Sequence, residues 1–443
     1  MRQPIRAAFW VAAYLLLALA PLILSLIQLD PGRGFWVNLS VAAGFVGLSL
    51  MGLQFLLAAR SVQVTGVFGP DVMLRFHRGM TVLIAVLIFA HPIILFVWDP
   101  RFLALLNVFV APTRAQFAVA SVLMLIALIA TSIWRRRLHL RYPTWQAVHA
   151  ALAVAIVVTA LVHVLLIGYY VDQPWERALW IAYSIAFIWI GIWVRIVRPV
   201  LHWRRRWRVV GVRDQPTGAH TVSLEPADPA AHGPDGFRFE AGQYAWIRTG
   251  RNPFAITYNP FSFSSSSEHP ERVEFTIKTE SGFTTTIGDL APGRVVYLDG
   301  PWGQLSMDRN EGPGFVFIAA GVGVTPMVSM LATMADRGDT RPAWLVLGNR
   351  REDEIICHDD IAALAERMPQ LTVVHVISRP GEGWNGRTGR ISRVLLDEVL
   401  PAERTRLQYF ICASDAVMDT AQTALAELGV PAERVHAERF SMA

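Results

Sequence analysis

Six apolar blocks, near residues 7–29, 35–59, 73–98, 115–134, 144–170 and 176–198, dominate the first 200 positions. Each is long enough to cross the roughly 30 Å of a bilayer's hydrocarbon as a helix rising about 1.5 Å per residue. No water is present there to satisfy backbone groups, so such blocks must bond internally as helices. The arginines set their direction. Arg60, Arg75 and Arg78 cluster around the second connection, and Arg135, Arg136, Arg137 and Arg141 around the fourth. Arg198 and the string RRRWR at 204–208 follow the sixth block. The remaining connections carry only Arg33, Arg101, Arg114 and Arg177, accompanied by Asp30, Asp99, Asp172 and Glu176. The positive-inside rule therefore expects a multi-pass protein of the cytoplasmic (inner) membrane with both termini in the cytoplasm. The first block exceeds the core of a signal peptide and is expected to be retained, although ALA at 18–20 offers a cleavage alternative.

The formal charge of +5 is carried by arginine, since Lys278 is the only lysine. Those arginines flank apolar blocks, so the lipid bilayer is the expected partner and nucleic acid is not. Cys357 and Cys412, the only cysteines, make no disulfide framework and fit a reducing compartment. No C-x-x-C-H string occurs, which excludes covalent c-type haem.

Four of the twelve histidines lie inside apolar blocks: His77 and His91 in the third, His149 and His163 in the fifth. Each pair is fourteen residues apart. Fourteen residues at about 100° each fall within about 40° of four full turns, so both members project from nearly one face, about 21 Å apart along the axis. The two blocks run in the same direction. His77 and His149 then share the cytoplasmic level, and His91 and His163 the outer level. One imidazole from each helix at each level is the donor set of a bis-imidazole haem iron, and two such levels make an electron path. A lone intramembrane histidine can instead be a hydrogen-bond strut or part of a proton path. A single four-histidine zinc site is ruled out by the separation of the levels. Pro92, next to His91, is expected to kink the span.

After residue 205 the pattern changes to short β-rich runs between Gly and Pro: HTVSLEP, QYAWIRT, RVEFTIKT and RVVYLDGP. They predict an antiparallel β-barrel over about 208–308. Beyond it, apolar strands such as GFVFIAA, PAWLVLGNR, LTVVHVISR and LQYFICASD alternate with helical stretches, predicting an α/β domain with a parallel sheet. The expected fold is thus a membrane all-α six-helix bundle at 1–203, a β-barrel domain at 204–310 and an α/β domain at 311–443.

The barrel and sheet together resemble the ferredoxin–NADP reductase type of flavin module. Joined to a six-span bis-histidine domain, they resemble the ferric reductase and NADPH oxidase superfamily. EAGQYAWI (240–247) resembles the family's Gly-Gln-Tyr/Phe strand, and NPFSFSSSS (259–267) its flavin-binding stretch, with Asn259 where many reductases have arginine. The resemblance implies that Phe261 packs on the isoalloxazine of FAD and that Ser262 and Ser264 line its polar edge; a flexible serine loop is the bland reading. KTESGFTTTIGDL (278–290) resembles the pyrophosphate segment, with Gly282 admitting the backbone and Thr284 and Thr285 donating near a helix N-terminus. GPWG (300–303) resembles the barrel's closing turn. GVGVTP (321–326) follows a strand and opens a helix, as a dinucleotide phosphate turn requires. There Gly321 and Gly323 leave room, Thr325 donates and Pro326 suits the first helical turn. CASD (412–415) resembles the family's cysteine motif, which implies Cys412 beside the nicotinamide; a buried small hydrophobe is the alternative. ISR (377–379) resembles the contact to the 2′-phosphate, with Ser378 and Arg379 favouring NADPH over NADH. Phe440 in the terminal ERFSMA resembles the aromatic that covers the flavin.

The resemblance implies a transmembrane oxidoreductase moving electrons from cytoplasmic NAD(P)H through FAD and two b-type haems to an outer acceptor, molecular oxygen or a ferric chelate. Two alternatives stand beside it. One is a membrane cytochrome supplying quinone or a periplasmic enzyme; the other is a non-catalytic haem- and nucleotide-binding sensor.

Overall fold

The computed structural model describes residues 2–27, 34–59, 67–68, 70–233, 236–250, 252–254, 258–280 and 282–439. The chain divides into two compact units, one built on Met1–Arg198 and the other on Pro199–Pro253 with Tyr258–Ala443.

The first unit is helical. It comprises α1 (Arg2–Ile27), α2 (Phe35–Ala58), α3 (Pro70–Trp98), α4 (Thr113–Ile133), α5 (Tyr142–Ile167) and α6 (Pro174–Ile192). All six are long and apolar enough to cross a membrane, and the protein is a multi-pass membrane protein. Proline opens α3 and α6 and sits in the first turn of α5, where its missing N–H has no partner to lose. Pro92 stands inside α3 without ending it, although it cannot donate to the Ile88 carbonyl. Between α3 and α4, Asp99 caps a 3₁₀ turn (Pro100–Leu106) by accepting from the Arg101 N–H at 3.0 Å. The helix after residue 176 outlasts its apolar stretch. A π-helical turn at Trp193–Val197 leads into α7 (Arg198–Arg204), because arginine is a good helix former and hydropathy ends before the backbone pattern does.

The membrane core joins Phe45, Leu48 and Met51 of α2, Ile84 of α3, Leu125 of α4, Ile156 and Leu161 of α5, and Trp180 and Phe187 of α6. Helices pack closest as two pairs, α2 along α3 and α4 along α5. Small residues set the α2 approach, as membrane helix packing favours. A Cβ on Gly47 would stand 2.9 Å from Ile88, and one on Gly52 would fall 1.9 Å from the Phe187 ring.

The second unit holds two sheets. β1 (Trp207–Gln215), β2 (Ala219–Pro226), β3 (Tyr244–Thr249), β4 (Asn259–Ser262), β5 (Val273–Lys278) and β6 (Val295–Trp302) form an antiparallel sheet in the order β4-β3-β6-β1-β2-β5. It curls so that its edges meet at a bridge, Phe263 to Phe275, beside an N–H···O bond from Ser264 to Glu274 of 2.8 Å. Phe239, Phe263 and Phe275 fill the interior. Trp207, within the string RRRWR whose arginines alone inform the sequence reading, is buried in this core. One string differs from its sequence reading. The first three residues of GPWG extend β6, where Trp302 pairs with Tyr244 beside a register shift.

The second sheet is wholly parallel: β7 (Phe315–Ala320), β8 (Ala343–Asn349), β9 (Leu371–Ile377), β10 (Arg387–Thr388), β11 (Gln408–Cys412) and β12 (Val435–Ala437), in the order β10-β9-β8-β7-β11-β12. α8 (Thr325–Asp336) and α9 (His358–Arg367) cover one face, and α10 (Arg393–Val399) and α11 (Asp415–Glu427) the other. The strand order reverses between β7 and β11, the switch point at which such sheets bind ligands.

The Gly52 contact predicts an asymmetry. Gly52→Ala is expected to destabilise the protein by about 1–3 kcal/mol through overpacking. Gly191→Ala, where a Cβ meets nothing within 4 Å, is expected to be neutral or mildly stabilising; thermal unfolding in detergent compares the two.

Candidate functional site

The four intramembrane histidines fall on α3 and α5, as the fourteen-residue spacing requires. His91 and His163 face one another, with ring centroids 6.4 Å apart and planes inclined by 63°. Two metal–nitrogen bonds of about 2 Å plus the ring radii come to roughly this separation. Among the described residues, no group of three or more His, Cys, Asp or Glu is placed to hold an ion. A facing pair of imidazoles such as His91 and His163 falls short of a zinc site's ligand set and fits an iron whose other ligands would come from a porphyrin.

Hydrogen bonding fixes which nitrogen each ring offers. The Nδ1 of His91 lies 2.9 Å from the Ser40 carbonyl oxygen, and that of His163 lies 2.8 Å from the Arg114 carbonyl oxygen. A carbonyl only accepts, so Nδ1 carries the hydrogen, and in the neutral ring the free lone pair is left on Nε2. Ser40, fully buried, also donates its hydroxyl to the His91 carbonyl at 2.7 Å. Gly44 admits this ring, since a Cβ there would stand 3.2 Å from Nδ1. His149 is held less directly. Its Nδ1 lies 3.3 Å from the Ser132 hydroxyl oxygen, whose own hydrogen goes to the Leu128 carbonyl at 2.7 Å. Ser132 must therefore accept, and the His149 Nδ1 must donate. Trp145 packs on His149 at 5.3 Å, and the Arg135 guanidinium lies 5.5 Å from the Trp145 ring centre. Neither Ser40 and Ser132 nor the Arg114 carbonyl was legible as a partner in the sequence. Arg101 forms an ion pair of 2.8 Å with Asp99.

In the curled sheet, Phe261 of β4 stacks with Phe283 at 6.2 Å and 30°. Ser262 pairs with Tyr244, and both are buried. The serine run is fastened to the structure. Ser264 accepts from Thr276 at 3.1 Å, the Ser265 carbonyl accepts from Ser329 at 2.7 Å, and the Ser267 N–H donates to Thr333 at 2.9 Å. The flexible-loop reading is therefore set aside. Gly282, Thr284 and Thr285 lie in a 3₁₀ turn, Gly282–Thr286, rather than at an α-helix N-terminus; β-branched threonines and the nearby Gly288 and Pro292 disfavour a longer helix. Thr284 accepts from the Glu280 N–H at 2.9 Å. The sequence reading passed over Arg248, which is 4% exposed between the rings of Tyr258 and Tyr297, at 4.8 and 4.6 Å. Burial pulls its guanidinium below the ordinary arginine range.

At the switch point, Gly321 adopts φ +54°, a left-handed conformation, and a 3₁₀ turn (Gly321–Val324) leads into α8 with Pro326 in its first turn. Gly323 is required by packing: a Cβ there would sit 2.2 Å from the Cys412 carbonyl oxygen. Thr325 turns both its N–H and its hydroxyl (3.0 Å) to the Val322 carbonyl, so it closes the turn instead of facing outward. Cys412 ends β11, buried, and desolvation raises its thiol pKa. Ser378 and Arg379 follow β9, bonded through their N–H groups to the carbonyls of Asn349 and Arg350 at 3.0 and 2.8 Å. The Arg379 side chain is exposed. Phe440 lies outside the described residues.

Comparisons bear on both units. A family model described as ferric reductase like transmembrane component matches residues 43–160, and one for an oxidoreductase NAD-binding domain matches 317–423. Ferredoxin–NADP reductase B of Sorangium cellulosum is 31% identical over 241 residues, 53% of this chain and 96% of that protein. The chain belongs to the ferredoxin–NADP reductase family. With its membrane unit it is a fusion of the ferric reductase and NADPH oxidase-like type. It is an oxidoreductase whose second unit is a FAD- and NAD(P)H-binding reductase module. The flavohemoprotein of Bordetella pertussis is 29% identical over 252 residues, and the chain spans 60% of that protein's length. A solved flavohemoglobin from Malassezia yamatoensis, with bound FAD and heme, is similar at 16% identity and a TM-score of 0.48, over 91% of this chain and 96% of that one.

The two turn glycines are expected to respond differently to alanine. Gly321→Ala meets nothing within 4 Å and carries only the left-handed penalty of about 1–2 kcal/mol. Gly323→Ala must displace backbone and is expected to lower the unfolding midpoint further, as thermal denaturation of the two variants will read.

Proposed function

We propose that the protein carries electrons from cytoplasmic NAD(P)H across the inner membrane to oxygen or a ferric chelate, using FAD and two b-type haems. The observation that carries this reading is the His91–His163 pair, with rings 6.4 Å apart and each Nδ1 tied to a backbone carbonyl. When bound, FAD takes the two electrons of a hydride together and releases them singly, and each haem iron accepts one at a time.

The chain's own residues then have separate tasks. His77 and His149 ligate the inner iron; His91 and His163 ligate the outer one. Helix rise alone sets the levels about 21 Å apart. Phe261, with Phe283 beside it, offers an aromatic surface to the flavin, and Ser262 and Ser264 its polar edge. Gly282, Thr284 and Thr285 hold the FAD pyrophosphate. The Gly321–Pro326 turn receives the dinucleotide pyrophosphate, Cys412 borders the nicotinamide, and Phe440 covers the flavin. Ser378 and Arg379 recognise the 2′-phosphate, which favours NADPH as donor over NADH.

Two variants separate the steps. His77→Ala is expected to lose one of two haems while NADPH still bleaches the flavin at its original rate, as stopped-flow absorbance will read; loss of flavin reduction in the folded variant contradicts the order of carriers. Arg379→Ala is expected to weaken NADPH binding roughly 10- to 100-fold, the worth of a charge-assisted hydrogen bond, with NADH binding little changed. Equal loss for both nucleotides in steady-state kinetics removes the 2′-phosphate assignment.

A further inference from the structure

α2 and α3 pack antiparallel along their length. Gly44 stands against His91, Gly47 against Ile88, and Leu57 clusters with Met73. Moving fourteen residues along one helix and fourteen back along the other therefore returns to an equivalent position. Fourteen residues are two heptads, the spacing at which packed helices repeat their facing positions. The same operation works on α4 and α5. His163 bonds to the Arg114 carbonyl, and His149 reaches the Leu128 carbonyl, fourteen residues on, through Ser132.

Applied to the Ser40–His91 pair, the operation gives Gln54 and His77. Here the pattern stops short. Gln54 is 8% exposed, and neither its amide nitrogen nor its amide oxygen has a hydrogen-bond partner among the described residues. The Nδ1 of His77 is buried and also without one. Three orphaned polar atoms thus occur on the two residues the register pairs. Each orphan costs about 1–3 kcal/mol relative to a satisfied group, so there is a driving force for them to meet.

We propose that Gln54 is the positioning residue of His77, its amide oxygen accepting the Nδ1 hydrogen as Ser40 does for His91, so that Nε2 is held towards the metal site. The inference rests on the haem reading of the histidine pairs. Such outer partners fix ring orientation and raise ligand basicity. Tyr14 is the rival, since its hydroxyl is buried without a partner and its ring packs 5.3 Å from Phe76.

The test uses the full-length, haem-loaded protein with Gln54→Leu, Gln54→Glu and Tyr14→Phe. In Gln54→Leu one haem is expected to pass to apomyoglobin about 10- to 100-fold more readily. Its low-spin EPR signal shifts and its midpoint potential rises, because a less basic imidazole stabilises ferric iron less; the other haem is unchanged. Gln54→Glu keeps an acceptor and restores retention. The haem-free Gln54→Leu chain still unfolds cooperatively near the wild-type temperature, since losing the bond to His77 is offset by removing the unpaired amide nitrogen. Unchanged retention, EPR signal and potential in Gln54→Leu overturn the proposal, as does the appearance of these changes in Tyr14→Phe instead. A wild-type chain that binds one haem or none overturns the haem reading itself.

Discussion

A histidine offers a metal only one nitrogen, so the other must be held by the protein if the ring is to stay aimed. In this membrane unit that second contact crosses between helices. His91 on α3 is held by Ser40 on α2, and His163 on α5 by the Arg114 carbonyl at the start of α4. The helices pack as the pairs α2–α3 and α4–α5. Each pair supplies one helix that carries histidines and one helix that orients them, and the His91 and His163 rings face one another. Gly44 and Gly47 let α2 come close enough to do this. The apolar cluster around Trp180 and Phe187 then secures α2 from its other side.

The reductase unit solves a different problem, that of bringing a nucleotide to a sheet edge. Reversal of strand order between β7 and β11 opens a crevice at the carboxyl ends of the strands. Gly323 lets the turn after β7 lie directly on the Cys412 carbonyl. The serine run ties the curled sheet to α8 through Ser329 and Thr333. The same stretch that begins with Phe261 on β4 is therefore anchored to the helix that follows the Gly321–Val324 turn. These contacts make the two sheets one mechanical unit.

Much of this was legible in the sequence because it rests on periodicity. Six apolar blocks gave six helices, and the fourteen-residue spacing of histidines placed one member of each pair at each level. Alternating and continuous apolar strands separated the antiparallel sheet from the parallel one. What was not legible depends on the backbone or on distant partners. Arg114 reads as a charge, yet its carbonyl is what holds His163. RRRWR reads as a topology signal, yet Trp207 belongs to a sheet core. Hydropathy reports apolar length and not helix length, so α7 went unseen. Thr325 reads as an outward donor, while in the fold its hydroxyl closes its own turn. The serine run leaves a flexible loop open as the bland reading, because nothing local marks its distant partners Thr276, Ser329 and Thr333.

The proposed route, in which two histidine pairs hold two haems served by one flavin, has a direct spectral signature. The most direct measurement is an anaerobic visible spectrum of the purified, FAD-supplied wild-type protein before and after NADPH, with haem quantified per chain. Two b-type haems per chain, both reduced only when FAD and NADPH are present, are the predicted result. One haem or none, or haems that stay oxidised while the flavin is bleached, contradicts it.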